Sequence, residues 1–104
     1  MTLLQDPAPT LIGRVVDDGG APVPGAHVTV LDDDGRQVDL AEVSTDGRFA
    51  VRGIPGSPVT VLVGGIGHEP VSERLYLDGR VSHRSFRLAA RRLALTREPA
   101  GRPR

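Results

Sequence analysis

Gly13-Arg-Val-Val-Asp-Asp-Gly-Gly-Ala-Pro-Val-Pro-Gly-Ala-His-Val-Thr-Val, followed by Thr45-Asp-Gly-Arg-Phe-Ala-Val-Arg-Gly-Ile-Pro-Gly, is the stretch that decides the fold. Each piece alternates apolar and polar side chains, then breaks at Gly, Pro or Asp. Alternation of period two marks a strand with one buried face, and the breaks supply turn conformations. The same rhythm runs outward from Leu11 to Leu88, with turn clusters about every 8 to 12 residues, the pattern of an all-β sandwich.

The spacing predicts seven strands, near residues 11–16, 26–31, 37–44, 48–52, 58–64, 71–77 and 80–88, and no window with helical periodicity. Successive side chains point to opposite faces. Leu11, Val15, Ala26, Val28, Val30, Phe49 and Val51 therefore point inward, as do Val59, Val61, Val63, Leu75, Leu77, Phe86 and Leu88. Arg14, Thr29, Arg48, Arg52, Thr60, Arg74 and Arg87 point to water. Asp34-Gly35, Asp46-Gly47 and Asp78-Gly79 are expected turns, with Gly at positive φ and Asp bonding nearby N–H groups. Pro22, Pro24, Pro55 and Pro58 fall in connections or at strand ends, where a missing N–H harms no ladder.

A chain of 104 residues holds one core. The expected organisation is a flexible lead-in at 1–10, the sandwich at 11–88 and a basic flexible tail at 89–104, whose first half has enough Ala and Leu for one or two marginal helical turns. With no cysteine, disulfides and thiolate chemistry are excluded. A formal charge of zero removes any general pull toward nucleic acid. All 13 basic residues are arginine, and neither lysine nor asparagine occurs. The start, Met1-Thr-Leu-Leu-Gln-Asp-Pro, lacks a signal sequence, and no apolar run reaches the ~20 residues of a membrane span. If Met1 is the true start, the expected compartment is the cytoplasm.

The motifs Gly13 to Asp17, Pro22 to Val30, Asp32 to Gly35, Thr45 to Phe49, Gly53 to Gly56 and Gly67 to Pro70 resemble the carboxypeptidase regulatory-like domain, within the group of transthyretin-like and Cna-B sandwiches. The residues that carry the resemblance are Gly13, Pro22, Gly25, Ala26, Asp46, Gly47, Phe49, Gly53, Pro55, Gly67 and Pro70. Two departures are Gly56-Ser-Pro58, where the family has Gly-x-Tyr, and His68, where Tyr is commoner. The resemblance implies a seven-stranded Greek-key β-sandwich of prealbumin-like type. It also implies a module that accompanies metallocarboxypeptidases, outer-membrane receptors, adhesins or, in actinobacteria, membrane transporters. The family brings no catalytic residues; in the carboxypeptidases the zinc and general base belong to the neighbouring domain.

Two chemistries of the wider group fail on residues. The pilin isopeptide bond joins lysine to asparagine, and this chain has neither. The transthyretin-like hydrolases need histidines, an arginine and a terminal Tyr-Arg-Gly-Ser, whereas the last strand here ends Phe86-Arg-Leu-Ala. His27, His68 and His83 are not paired at the spacing of a local zinc set. Asp32-Asp33-Asp34-Gly35 with Asp39 invites calcium, but the alternation of an EF-hand fails at Arg36. Ser57, Ser72, Ser82 and Ser85 lie in no activating motif.

The sequence thus predicts no catalytic residue, no cofactor and no metal site. Its contact candidates are His68 and Glu69 in a loop, Tyr76 as the one exposed aromatic available to a sugar, and Arg91 and Arg92 in the tail. The expected function is a non-catalytic accessory module for protein interaction or spacing, associated with a membrane transporter or surface protein. The expected state is a monomer with an unknown protein partner, no nucleic acid and no integral membrane segment. The alternatives are a carbohydrate- or metal-binding module and, behind it, a transthyretin-like hydrolase.

Overall fold

The computed structural model describes residues 10–53, 57–78 and 80–91. Pro55, Gly79 and Arg92, with residues 1–9 of the proposed lead-in and 93–104 of the proposed tail, lie outside the described residues. Seven strands form: β1 Leu11–Asp17, β2 His27–Leu31, β3 Gln37–Glu42, β4 Arg48–Val51, β5 Ser57–Gly64, β6 Val71–Leu77 and β7 Ser82–Leu88. They make a three-stranded sheet in the order β4-β1-β7 and a four-stranded sheet in the order β3-β2-β5-β6. All pairings are antiparallel except β1 with β7. β3 and β4 touch across the edge of the sandwich, so β5-β2-β3-β4 is the 4-1-2-3 order of a Greek key. No helix among the described residues is long and apolar enough to cross a membrane.

The core follows the alternation. Every residue expected inside is buried except Leu75, which is half-buried on the edge strand β6 and packs against the core. Two core residues lie outside the expected inward set, and β3 ends at Glu42, short of the expected 44. Val23 lies in the β1–β2 connection and Val43 just past β3, yet both are buried. Val43 is drawn in because its N–H donates to the Ala26 carbonyl at 2.7 Å and its carbonyl accepts from Gly25 at 3.2 Å. Pro58 lies inside β5, beyond Thr60, the last residue of β5 that β2 reaches. There β5 is paired with β6, and no β2 ladder bond is lost.

One turn is built three times. Asp17 N–H donates to Ala21 O, Gly20 N–H to Asp17 O, and Asp17 Oδ1 accepts from Gly19 and Ala21 at 2.9 Å. Asp32 repeats this with Arg36, Gly35 and Asp34. Ser44 repeats it with Arg48 and Gly47, its hydroxyl oxygen accepting from Arg48 N–H at 3.1 Å. Gly20, Gly35 and Gly47 sit at φ 85°, 84° and 85°, a conformation that a Cβ disfavours. The structure corrects the expected capping residues. In the second turn it is Asp32 that bonds the backbone, not Asp34. In the third, Ser44 caps, and Asp46 instead accepts the Ser44 hydroxyl. Asp78 accepts from Arg80 N–H at 3.0 Å, as expected of an Asp in a turn.

Gly13 is not in a turn but in the middle of β1, opposite Phe49 on β4 and Arg84 on β7. A Cβ there would strike the Arg84 carbonyl and lie 3.1 Å from Phe49 Cε2. The missing side chain lets Phe49 lean over β1 toward Phe86, with ring centroids 5.9 Å apart and planes tilted by 39°.

Candidate functional site

Two surfaces gather chemistry. The first is the β5–β6 connection, Gly65 to Pro70, at the end of the sandwich where β7 runs out. Glu69 N–H donates to Ala89 O and Arg91 N–H to Gly67 O, both at 2.8 Å, and His68 bridges to Ala90. Residues 89–91 are therefore extended, not the start of a helix. Arg91 Nε lies 4.0 Å from Glu69 Oε2, and His68 Nδ1 lies 3.1 Å from Ile66 O. Of the contact candidates, His68, Glu69 and Arg91 thus come together. Tyr76 stands apart, exposed, at the other end of β6 opposite Pro58.

At the apex of this pinned loop Ile66 is fully exposed. Beside it a groove of about 660 Å³ is lined by His27, Thr29, Leu62, Ile66, Pro70 and Arg91 among others. Strand alternation does not mark Ile66. Its signal was an isolated apolar residue within Gly64-Gly65-Ile66-Gly67, where no strand alternation requires one.

The second surface is the outer face of the three-stranded sheet. Leu11 and Val15, Phe49 and Val51, and Phe86 and Leu88 face the core, so Arg14, Arg48, His83, Ser85 and Arg87 face out. Register places Arg14 directly opposite Arg48 on one side and Ser85 on the other. Like charges at opposed positions destabilise a ladder. Arg48 has Asp46 at 3.4 Å, Arg52 has Asp39 at 3.6 Å, and Arg87 donates to Asp18 O at 2.6 Å. Among the described residues no carboxylate lies within salt-bridge distance of Arg14. A groove of about 610 Å³ crosses this face from His83 over Ile12 and Ala50 to Ala41 and Glu42.

Two carboxyls are shifted. The Ser44 hydroxyl, with Arg48 beside it, holds the Asp46 carboxyl below its ordinary value. At Asp39 partial burial pushes upward but is outweighed. The Arg52 N–H at 2.8 Å, the Leu40 N–H at 2.9 Å and the Arg52 guanidinium bring the carboxyl below its ordinary value.

The acidic and histidine side chains weighed as metal ligands do not assemble among the described residues. Asp33 pairs with Arg74 at 2.6 Å, while Asp32 is occupied by backbone N–H groups. His27 and His83 stand on opposite sheets. No group of three His, Cys, Asp or Glu side chains among the described residues is placed to hold an ion.

A profile of the carboxypeptidase regulatory-like domain matches residues 10–90. No curated protein matches the chain. Among solved structures, 5-hydroxyisourate hydrolase of Klebsiella pneumoniae superposes with a TM-score of 0.63 at 16% identity, over 79% of this chain and 90% of that one. Hydroxyquinol 1,2-dioxygenase of Pseudomonas putida DLL-E4 gives 0.60 at 16% identity, over 85% of this chain and 58% of the enzyme. The Bacillus anthracis TIE protein gives 0.56 at 19%, over 77% and 17%. The chain thus spans little more than half of the dioxygenase. At these identities the likeness is one of fold.

Proposed function

The chain belongs to the carboxypeptidase regulatory-like domain family, and from that premise we propose that it is a non-catalytic accessory sandwich that engages a protein partner. It acts as a monomer, beside or within a transporter or surface protein. One observation carries the reading: Ile66, fully exposed at the tip of a loop that two backbone hydrogen bonds tie to Ala89 and Arg91. An isolated apolar side chain on a rigid apex supplies contact area at little ordering cost, the property of an interface anchor. The groove beside it extends that anchor with Leu62 and Pro70.

The test is capture from native lysate with the tagged wild-type protein and with I66D. The reading expects a partner held by the wild type and lost with I66D, while the two proteins melt at the same temperature. No partner with either protein, or one retained by I66D, contradicts it.

A further inference from the structure

We propose that the outer face of the three-stranded sheet binds an acidic peptide segment with an apolar side chain set between its carboxylates. This surface shares no lining residue with the Ile66 groove, and the inference goes beyond the reading above.

Charge is segregated on the sandwich surface. The chain is neutral as a whole, yet the side chains that β1, β4 and β7 turn outward include Arg14, Arg48, Arg87 and His83 and no carboxylate. Arg14 and Arg48 are held directly opposite each other, and the Arg14 guanidinium has no carboxylate partner among the described residues. Arg48 has the Asp46 carboxylate at 3.4 Å and Arg14 has none, so compensation inside the fold is one-sided and points to a ligand that supplies the rest. A carboxylate between these two arginines receives charge-assisted hydrogen bonds from both.

The groove selects among anions. Its floor is apolar, formed by Ile12 and Ala50 with Phe49 behind them, and Glu42 closes one end. An apolar side chain fills that floor while flanking carboxylates meet Arg14 and Arg48. A nucleic acid finds no outward Phe, Tyr or Trp ring along this face to stack on. Ser85 beside Arg14 adds a neutral hydroxyl that can donate to the same carboxylate.

The experiment is fluorescence anisotropy at low salt with a fluorescein-labelled Glu-Glu-Leu-Glu-Glu peptide, its Gln-for-Glu counterpart, labelled oligo-dT and the full chain. The expected result is saturable binding of the acidic peptide alone, weakened about tenfold in R14Q and in R48Q and weakened by added salt. R36Q, which removes an arginine outside this face, binds as the wild type does. R14Q melts no lower than the wild type, because it removes half of a like-charge pair, so its loss of binding is not a loss of fold. No saturable binding, equal binding of the Gln peptide, tighter binding of oligo-dT, or undiminished binding by R14Q overturns the proposal. If the peptide fails while I66D still abolishes lysate capture, the arginine face is refuted and the Ile66 reading stands.

Discussion

Gly35 and Gly47 occupy the same place in two copies of one turn, at φ 84° and 85°, but in different surroundings. A Cβ at Gly35 meets nothing within 4 Å. At Gly47 it lands 2.8 Å from Pro22 Cβ and 3.1 Å from Val15 O. The left-handed conformation costs alanine roughly 1–2 kcal/mol. Stiffening of the unfolded chain offsets about 0.4–1 kcal/mol of that, so G35A is expected to lose about 1 kcal/mol. G47A carries the same cost and a clash. Pro22 is rigid and held in place by its bridge to Val16 and by the next residue, whose N–H donates to Val15 O at 3.1 Å. Overpacking against such a neighbour adds roughly 1–3 kcal/mol, which brings the G47A loss to about 2–4 kcal/mol. The assay is urea unfolding followed by far-ultraviolet circular dichroism, with one slope m shared by the three proteins. In melting temperature each kcal/mol corresponds to roughly 4–8 °C for a domain of this size. Equal losses in G35A and G47A would refute the docking of Pro22 on the third turn and, with it, the account of how β1 is closed.

Three further outcomes follow from the packing and the charges. L88A, at a fully buried position, is expected to lose about 2–5 kcal/mol, whereas L40A, at a half-exposed one, changes stability by no more than about 0.5 kcal/mol in the same titration. G13A is expected to separate β1 from β7, because its Cβ meets a backbone carbonyl and not a side chain that can move; a native near-ultraviolet or NMR spectrum for G13A would contradict this. The Asp39 carboxyl is held below its ordinary value in the fold, so its contribution is present above the unfolded value of about 4 and lost as pH falls through the lower folded value. D39N should therefore be less stable than the wild type at neutral pH, and the gap should close at the acidic end of a pH series of urea titrations. A gap independent of pH would show that the Arg52 contacts do not act through charge.

The strands were legible because β-branched residues at period two leave one register that buries them all. Val28, Val30, Val59, Val61 and Val63 are the clearest instances. Val23 and Val43 were not legible, because Val23 is turned in by its N–H bond to Val15 O on β1 and Val43 by its bonds to Gly25 and Ala26, and alternation carries no record of such bonds. The turns were recognisable from Asp and Gly, but the capping residue was misassigned by two positions, since Asp32 and Ser44 act from the start of the turn and not beside the glycine. Arg14, Arg48 and Arg87 could each be read as exposed. That Arg14 faces Arg48 depends on the pairing of β1 with β4, which arises from topology and not from either segment alone. His68 and Glu69 are legible as one loop pair and Arg91 as part of the tail, and the bonds of residues 89–91 to the loop are what join them.

The most direct test of the interaction reading is photo-crosslinking in living cells with p-benzoylphenylalanine placed at position 66 and, as a control, in place of the exposed Val81. The account predicts a discrete adduct of higher mass from position 66 and none from position 81. No adduct from position 66, or the same adducts from both positions, would contradict it.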